Sequence, residues 1–479
     1  MKEAIKIGNY LISFKQGKKL SFFNISGAGV GGGSYSQRVS NYFSVEKKGI
    51  EKASEENLGD FVKSIKKIGM VKASNHSIEP IKPFSNIDDK ERTFTSHGEK
   101  LVYHYPIIKK YRETGHASII RASLTLHQLC SSSCSYCSTA SRNKSDSISL
   151  EEAKNFISKL YYDQAEFNKK RFPEYNDEYK KITGSDIRIQ SVILTGGGQP
   201  NLWPHFEEFV DWLSSLDIEL GLITNGFPKN IDENIYKKFT WIRLSITPEN
   251  ASPHYLENQF NNQYVPEFLL NGLNSITVGM SCVCADSFVS DDMLTRLVDY
   301  TNTHKGIEYL RLLADCSLEK SAQEDSIARI NYRVGKFGKL AKKIFIQRDK
   351  VHSEDISQIL TEDICFMSTY NVFWDTTGHD SEGFSYIYPC DSITVLENTT
   401  LAYKDSQRRF RSDIWGQLSN KNIENIYRLP HQMTFSPKEV CKDCLFTKTL
   451  SSYSSLLNTE NINIEELSKK EKMLHWKFP

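Results

Sequence analysis

The chain has 479 residues, 39% of them hydrophobic and 25% charged, a composition typical of a globular protein with two or three domains. Its 60 Lys and Arg residues balance 59 Asp and Glu residues, and the resulting net charge of +1 predicts no nucleic-acid or membrane partner. No apolar run approaches the roughly 20 residues of a transmembrane helix, and the amino-terminal segment lacks the apolar core of a signal peptide. Ten cysteines without an export signal predict a reducing, cytoplasmic location, where thiols bind metals or act in catalysis.

Residues 1–118 contain no cysteine and predict an N-terminal α+β extension of short elements. A strand is predicted over 19–25, and a charged, helix-like pattern covers 50–70. The glycine-rich stretch 27–33 is not followed by Lys-Ser or Lys-Thr, which favours a tight-turning loop over a phosphate-binding loop. The sequence predicts no role for this extension.

From residue 119 to 345, short apolar strands alternate with helices, which predicts a parallel sheet curved into a partial (β/α)6 TIM-like barrel. Strands are predicted over 118–126, 191–194, 218–223, 241–246, 275–278 and 308–313. A capping box at 149–152 opens a helix that continues to about residue 160, and a second helix covers 205–216. The polar stretch 161–189 is interpreted as an excursion or lid, with a flexible linker as the alternative.

Three cysteines follow the first of these strands in a C-x3-C-x2-C pattern, at Cys130, Cys134 and Cys137. Three thiolates on one loop can hold three corners of a 4Fe–4S cluster and leave the fourth iron open to a small molecule. Structural zinc normally takes four protein ligands, so the triplet favours catalysis over structure. In parallel barrels the loops after the strands carry the chemistry, and the triplet and the loops at 195–200 and 224–226 all lie there.

The triplet, with Tyr136 just before its third cysteine, resembles the signature of the radical S-adenosylmethionine (SAM) enzymes. Three later segments are similar to the glycine-rich, third-strand and fourth-strand motifs of that family, in the same order: Thr195–Pro200, Leu222–Gly226 and Arg243–Ser245. The resemblance covers about residues 119–345. It implies a 4Fe–4S cluster that binds SAM and cleaves it reductively to a 5′-deoxyadenosyl radical, which abstracts a substrate hydrogen atom. It also implies an external electron donor such as flavodoxin or ferredoxin.

The resemblance assigns SAM-binding roles to eight residues. Tyr136 lies beside the adenine, the glycine backbone approaches the amino end of SAM, and Arg243 pairs with its carboxylate. Asn225 and Ser245 bond to the carboxylate or the ribose. The glycines are Gly196, Gly197 and Gly198. Gln199 stands where the family usually has Glu, and an uncharged amide predicts weaker binding of the SAM ammonium group.

Residues 346–479 predict a small β-rich iron–sulfur domain that resembles the SPASM or twitch auxiliary-cluster domains. The four cysteines there are Cys365, Cys390, Cys441 and Cys444, the number that one fully ligated 4Fe–4S cluster requires. Zinc in a four-cysteine site is the alternative. A strand is predicted over 384–388.

Four further residues lie outside these motifs, and two of them, Cys316 and His127, admit two interpretations each. Cys316 follows the sixth strand and is either a hydrogen-atom donor to a substrate radical or a packing residue. Cys282 and Cys284 are interpreted as buried free cysteines. His127 is interpreted as a hydrogen-bonded strand-end histidine, with contact to the cluster or substrate as the alternative.

Three functions remain open from the sequence. The first is maturation of ribosomally made peptides by crosslinking or epimerisation, on the analogy of relatives with this architecture. The second is radical modification or dehydrogenation of a small metabolite, sugar or nucleotide. The third is a non-enzymatic cluster-binding protein. Residues 1–118 lack the three-helix rhythm of a peptide-binding module, which weighs against the first.

Overall fold

A computed structural model describes residues 4–7, 10–15, 19–24, 97–137, 139, 143–228, 230–248, 265–272, 276–284, 289–315, 318, 320–347, 359–360, 364–379, 385–391, 420–431, 436–440, 444, 446–460 and 462–479. The glycine-rich stretch 27–33, the helix-like pattern at 50–70, Cys316 and Cys441 lie outside the described residues. The chain divides into two compact units, residues 1–86 with 325–342, and residues 87–324 with 343–479.

The first unit contains an antiparallel sheet in the order β1-β2-β3. Its strands are β1 (Ala4–Ile7), β2 (Tyr10–Lys15) and β3 (Lys19–Asn24). The strand predicted over 19–25 is therefore confirmed as β3.

The second unit is built on a nine-stranded sheet in the order β10-β9-β8-β7-β6-β5-β4-β11-β12. The strands are β4 (Arg121–Thr125), β5 (Ser191–Thr195), β6 (Glu219–Thr224), β7 (Trp241–Ile246), β8 (Thr277–Val283), β9 (Ile307–Leu313), β10 (Ile344–Ile346), β11 (Asn371–His379) and β12 (Ser385–Tyr388). The pairs from β10 to β11 are all parallel, and β12 alone runs antiparallel, against β11. Each strand from β5 to β10 lies beside its predecessor in the chain, as in a (β/α) barrel-like fold, and the predicted α/β class is confirmed.

The described part of the chain also contains helices. They are α1 (His97–Lys100), α2 (Tyr105–Thr114), α3 (Leu150–Ser158), α4 (Gln164–Arg171), α5 (Pro173–Thr183), α6 (Phe206–Ser215), α7 (Glu233–Tyr236), α8 (Glu267–Asn271), α9 (Asp291–Thr303), α10 (Lys320–Gly335), α11 (Pro437–Val440), α12 (Thr447–Leu457) and α13 (Ile464–Lys469). Short 3₁₀ segments cover Leu101–His104, Pro200–Leu202, Gly338–Ala341, Phe366–Thr369 and Asn420–His431. None of the described helices is both long and apolar enough to cross a membrane.

The predicted capping box is present at the start of α3. The Ser149 hydroxyl accepts a hydrogen bond from the backbone N–H of Glu152 at 3.1 Å. This bond satisfies one of the free N–H groups of the first turn and fixes where the helix begins. Helix α3 ends at Ser158, and a π-helical turn, Lys159–Asp163, follows it directly.

Residues 161–189 are mostly helical, which corrects the interpretation of this polar stretch as a lid or a flexible linker. Several of its polar side chains are buried and hydrogen-bonded. The Gln164 carboxamide accepts from the Ile119 N–H at 2.7 Å and donates to the Ile119 carbonyl at 2.8 Å. Asn168 accepts from the buried Lys110 ammonium group at 2.7 Å. The polar side chains of this stretch make buried hydrogen bonds. A polar sequence pattern normally indicates solvent exposure, so the sequence alone does not predict this burial.

Strand β11 joins the same sheet as the preceding strands. Residues Asn371–Trp374 pair in parallel with Arg121–Leu124 of β4, and β12 then pairs with β11. The strand predicted over 384–388 is β12. The segment that leads to Cys390 is thus hydrogen-bonded, through β11, to the strand that leads to the cysteine triplet.

The register of the sheet arranges side chains on one face in layers. Ser245, Ser281 and Arg311 share one layer near the carboxyl ends of the strands. Arg243, Gly279 and Tyr309 share the next layer, two residues nearer the amino ends. The first residues of the strands, including Trp241 on β7 and Thr277 on β8, lie below that.

Candidate active site

The cysteine triplet lies on the loop that follows β4, and all three side chains are half-buried. The Cys137 N–H donates to the Cys134 carbonyl at 3.1 Å, and the Ser132 N–H lies 3.4 Å from the Cys130 sulfur. These local bonds hold the three thiols on one turn of chain. The side chains therefore come from a single loop, as their spacing predicts.

Two threonine hydroxyls lie beside the sulfurs, and the sequence motifs did not reveal either of them. Thr139 Oγ1 is 3.4 Å from Cys137 Sγ and donates to the Gly197 carbonyl at 2.9 Å. Thr247 Oγ1, just after β7, is 3.8 Å from Cys134 Sγ. A hydroxyl beside a sulfur can donate to it once the sulfur is a thiolate ligand.

Burial dominates the electrostatics of this loop. It raises the pKa of the Cys134 thiol, and the neighbouring charges of Cys137 and Cys130 raise it further. Burial also raises the pKa of Tyr136, whose hydroxyl interacts with Cys134 and Thr247. A bound metal reverses this effect, because its positive charge favours the thiolate.

The glycine-rich loop after β5 packs directly against the chain that leads into the triplet. The Gly198 N–H donates to the His127 carbonyl at 3.0 Å, and the Gln199 N–H donates to the Leu129 carbonyl at 2.7 Å. A Cβ on Gly197 would overlap the Gln128 carboxamide, and one on Gly198 would overlap the Gln128–Leu129 backbone. Glycines are thus required at positions 197 and 198 by a close backbone approach within the protein.

The Gln199 side chain is buried and bonded to the loop after β6. Its Nε2 donates to the Thr224 hydroxyl and, at 2.9 Å, to the Phe227 carbonyl. Its Oε1 accepts from the Asn225 N–H at 3.2 Å. The carboxamide therefore joins the glycine-rich loop to the Thr-Asn-Gly loop.

Asn225 completes the junction. Its Nδ2 lies 3.2 Å from Ser131 Oγ and 3.3 Å from Ser132 Oγ, both in the cysteine loop. Its Oδ1 accepts from the Phe227 N–H at 3.0 Å. The loops after β4, β5 and β6 are consequently bonded to one another in one place.

Arg243 projects from β7, and its side chain makes no hydrogen bond within the described residues. Its Nε is buried without a hydrogen-bond partner. Burial lowers its pKa, while Tyr309 and Asp391 act in the opposite direction. A buried guanidinium nitrogen without a hydrogen bond is costly, and an anionic ligand that accepts from it would offset that cost.

The ring of Tyr309 fills the space beside Arg243. A Cβ at Gly279, between the two in the same layer, would overlap that ring. One layer above, Arg311 donates to Ser281 Oγ from Nε at 3.1 Å and from Nη2 at 2.9 Å, and to Gln347 Oε1 at 2.7 Å. Arg311 is a second guanidinium level with Ser245 that no motif indicated.

His127, Cys282 and Cys284 match their simpler interpretations. His127 Nε2 lies 2.5 Å from the Gln199 carbonyl oxygen, and burial lowers the pKa of the ring. Cys282 and Cys284 are both fully buried free cysteines. These side chains belong to the framework of the site.

Three of the four predicted C-terminal ligands lie in one hydrophobic cluster. Cys365 is buried in it, and Cys390 and Cys444 pack against it. Burial raises the pKa of the Tyr370 hydroxyl, and the proximity of all three cysteines raises it further. Burial raises the pKa of Cys365 to about 11 and that of Cys444 to about 12. Cys441 lies outside the described residues.

A hydrogen-bonded link joins β11 to the cysteine loop. Gln128 Nε2 donates to Asp375 Oδ1 at 3.0 Å and to Thr376 Oγ1 at 2.9 Å. Asp375 is fully buried. This contact therefore joins the later part of β11 to the chain that leads into the cysteine triplet.

Within the described part of the chain, no three His, Cys, Asp or Glu side chains converge as ligands of a single metal ion. Each thiolate of a 4Fe–4S cube binds a different iron, so its ligands need not converge on one point. Three half-buried sulfurs on one loop, two of them beside hydroxyl groups, fit such a cluster.

No protein-family model and no curated protein matches this sequence. Among solved structures, SuiB of Streptococcus suis bound to precursor peptide SuiA has 11% identity and a TM-score of 0.39, over 87% of this chain and 90% of that one. The structure of anSMEcpe with bound AdoMet and Cp18Cys peptide has 15% identity and a TM-score of 0.35, over 69% and 88%. BtrN in complex with AdoMet and 2-DOIA has 10% identity and a TM-score of 0.23, over 65% and 88%. These neighbours are radical SAM enzymes. Because every TM-score lies below 0.5, the case for function rests on this chain's own residues.

Proposed function

We propose that this protein is a radical SAM enzyme. The observation that supports this most directly is the junction of three loops, in which Gln199 and Asn225 bond the glycine-rich and Thr-Asn-Gly segments to each other and to the cysteine loop. These are the segments whose order along the chain resembles the family. A zinc or redox cysteine site would not require the companion loops to meet there.

Cys130, Cys134 and Cys137 hold three irons of a 4Fe–4S cluster and leave one iron for SAM. When bound and reduced, the cluster supplies the electron that cleaves SAM to methionine and a 5′-deoxyadenosyl radical, which takes a hydrogen atom from the substrate. Thr247 stands beside the Cys134 sulfur, where its hydroxyl can donate a hydrogen bond to the thiolate, while Thr139 packs beside Cys137 and donates to the Gly197 carbonyl.

The SAM molecule is held by groups on the loops and strands around the cluster. The Arg243 guanidinium bonds to the methionine carboxylate, and Asn225 and Ser245 bond to the carboxylate or ribose. Tyr136 lies beside the adenine. Gln199 Oε1 keeps a second lone pair beyond its bond from Asn225, which can accept from the SAM ammonium group.

The preferred substrate is a ribosomally made peptide, which the enzyme crosslinks or epimerises, because relatives with this domain order commonly carry out that chemistry. Radical modification or dehydrogenation of a small metabolite is the second candidate. Arg243 and Arg311 are two cationic side chains on one face of the sheet. Together they favour bound molecules that carry more than one anionic group. Cys316 is proposed as a hydrogen-atom donor, and a flavodoxin or ferredoxin as the electron source.

Cys365, Cys390, Cys441 and Cys444 are proposed to hold a second 4Fe–4S cluster, with zinc as the alternative. The packing of Cys365, Cys390 and Cys444 on one hydrophobic cluster supports a common site for them. Such a cluster would accept an electron from a substrate radical, which makes the overall reaction an oxidation.

Anaerobic reconstitution followed by metal analysis tests both cluster assignments. We expect about eight irons per chain in the wild type and about four in a variant with Cys130, Cys134 and Cys137 all changed to Ala. The electron paramagnetic resonance signal of the reduced wild type should change on addition of SAM. About four irons with one zinc would make the C-terminal site structural. A signal that SAM leaves unchanged would argue against the open iron.

A further inference from the structure

The segment His475–Pro479 lies against the amino-terminal ends of five adjacent strands of the large sheet. It contacts the first residue of each. These contacts are the Arg121 guanidinium to the Pro479 carbonyl, Ser191 Oγ to the Lys477 carbonyl at 2.5 Å, Lys477 Nζ to the Glu219 carboxylate at 3.3 Å, the Phe478 ring to the Trp241 ring, and His475 Nε2 to Thr277 Oγ1 at 2.9 Å. The segment therefore covers the end of the sheet opposite the cysteine loop.

Phe478 is the apolar centre of these contacts. Its side chain is 2% exposed, and its ring meets the Trp241 ring edge to face, with centroids 5.6 Å apart and an interplanar angle of 68°. On its other side the Trp241 ring lies over Gly221, where any Cβ would overlap it. The indole is thus held between a glycine of β6 and the ring of Phe478.

Trp241 in turn contacts Arg243. The two residues lie two apart on β7 and so share one face of the sheet. The guanidinium carbon is 5.6 Å from the indole centroid, within the range of a cation–π interaction. Arg243 Nε has no hydrogen-bond partner, and Tyr309 and Asp391 act on the guanidinium electrostatically, so the indole is the aromatic contact that helps to define where the guanidinium sits.

We propose that His475–Pro479 is a positioning segment that acts on ligand binding through Phe478, Trp241 and Arg243 in sequence. By fixing the indole, it fixes the orientation of the guanidinium, and so sets the affinity for the carboxylate that Arg243 binds. The proposal rests on the SAM-binding role proposed for Arg243. It adds a determinant of SAM affinity at the end of the barrel farthest from the cluster.

The segment has enough other anchors for Phe478 to be varied alone. Lys477 keeps its bonds to Ser191 and Glu219, and the Trp476 carbonyl keeps its bond to His104 at 3.1 Å. We therefore expect Phe478→Ala to leave the segment in place while it releases one side of the indole. Leu474→Ala is the matched control, because Leu474 is 45% exposed and lies one residue before the segment.

The test is calorimetric SAM binding to anaerobically reconstituted protein, with iron content measured on each sample. Phe478→Ala should raise the Kd for SAM by about tenfold, which corresponds to about 1.4 kcal/mol, with iron content unchanged. Leu474→Ala should bind as the wild type does. Trp241→Leu should weaken binding as Phe478→Ala does, and Trp241→Phe, which keeps an aromatic ring, should restore most of the loss.

A double-mutant cycle separates this route from general loosening of the fold. In an Arg243→Gln background, Phe478→Ala should cause no further loss of SAM affinity. Two outcomes would overturn the positioning role and leave the proposed function intact. The first is an equal loss of SAM affinity from Phe478→Ala in both backgrounds. The second is wild-type SAM binding by both Phe478→Ala and Trp241→Leu, while Arg243→Gln weakens binding. Wild-type binding by Arg243→Gln would overturn the role of Arg243 itself.

Discussion

Gln199 Nε2 donates a hydrogen bond to the Phe227 carbonyl oxygen at 2.9 Å, and this bond needs an amide. A carboxylate at position 199 has no hydrogen to donate and would place its oxygen against that carbonyl. The charge alone predicts tighter SAM binding by Gln199→Glu, but because the substitution breaks the bond between the two loops we expect it to destabilise the protein by about 1–3 kcal/mol and to weaken SAM binding. Chemical denaturation and calorimetric SAM titration under anaerobic conditions measure the two effects.

Gln190→Glu is the matched control. Gln190 is another buried amide, at the opposite end of β5, and donates to the Arg188 carbonyl at 3.1 Å. Its substitution should reduce stability without changing SAM affinity. If Gln199→Glu were as stable as the wild type and bound SAM more tightly, position 199 would act as the family's Glu does.

Gly197→Ala tests the close approach of the glycine-rich loop to the chain before Cys130. The new methyl group would overlap the Gln128 carboxamide, which is itself bonded to Asp375. We expect loss of SAM binding and reduced iron incorporation. Gly184→Ala is the control: its φ of 78° makes alanine strained, but nothing lies within 4 Å of the new Cβ. It should cost about 1 kcal/mol of stability and spare SAM binding; an equal effect of the two variants on SAM would refute the packing argument.

Thr247→Val tests the hydroxyl beside Cys134. An iron-bound thiolate can only accept hydrogen bonds, so the hydroxyl at 3.8 Å must be the donor. Hydrogen bonds to ligand sulfurs raise the reduction potential of iron–sulfur clusters, because they stabilise the added negative charge. Redox titration should therefore give a more negative potential for Thr247→Val than for the wild type, and Thr247→Ser should match the wild type. Equal reduction potentials in the wild type, Thr247→Val and Thr247→Ser would show that Thr247 does not donate to a cluster ligand.

We expect His104 to make the stability of the region around His475–Pro479 sensitive to acid. Its Nε2 faces the Trp476 carbonyl at 3.1 Å, which can only accept, and its Nδ1 faces the Tyr179 hydroxyl at 3.0 Å, so a neutral ring satisfies both contacts by donating from Nε2 and accepting at Nδ1. Burial lowers its pKa from 6.5 to about 4. The unfolded chain then binds more protons between these values, and the stability present above pH 6.5 is lost as the pH falls towards 4.

Denaturation midpoints between pH 7.5 and 5 check this expectation. The midpoint should fall with pH in the wild type and fall less steeply in His104→Gln, whose amide can replace both hydrogen bonds without titrating. A wild-type midpoint that rose as the pH was lowered would contradict the sign of the effect.

The strands and motif-bearing loops could be predicted because each is a local pattern. Apolar runs bounded by turns gave β5, β6 and β7 to within a residue or two, and Ser149 marked the start of α3 correctly. The loops of the site follow from a general rule, since the carboxyl ends of parallel strands meet at one edge.

What could not be predicted depends on contacts between distant parts of the chain. Thr139 and Thr247 carry no motif and are recognised only by the sulfurs beside them. The pairing of β11 with β4 joins residues some 250 positions apart, and the contacts of Phe478 span a similar distance. Gln164 and Asn168 look solvent-exposed in the sequence, because nothing local shows that Ile119 and Lys110 are their partners.

The central claim is that the cysteine triplet supports reductive cleavage of SAM. The most direct measurement is the formation of 5′-deoxyadenosine and methionine from SAM by reconstituted protein with dithionite, followed by mass spectrometry. The wild type should form both products in equal amounts, and the variant with Cys130, Cys134 and Cys137 changed to Ala should form neither. Product formation by the wild type no greater than by that variant, in the presence of candidate peptide and small-molecule substrates, would contradict the claim.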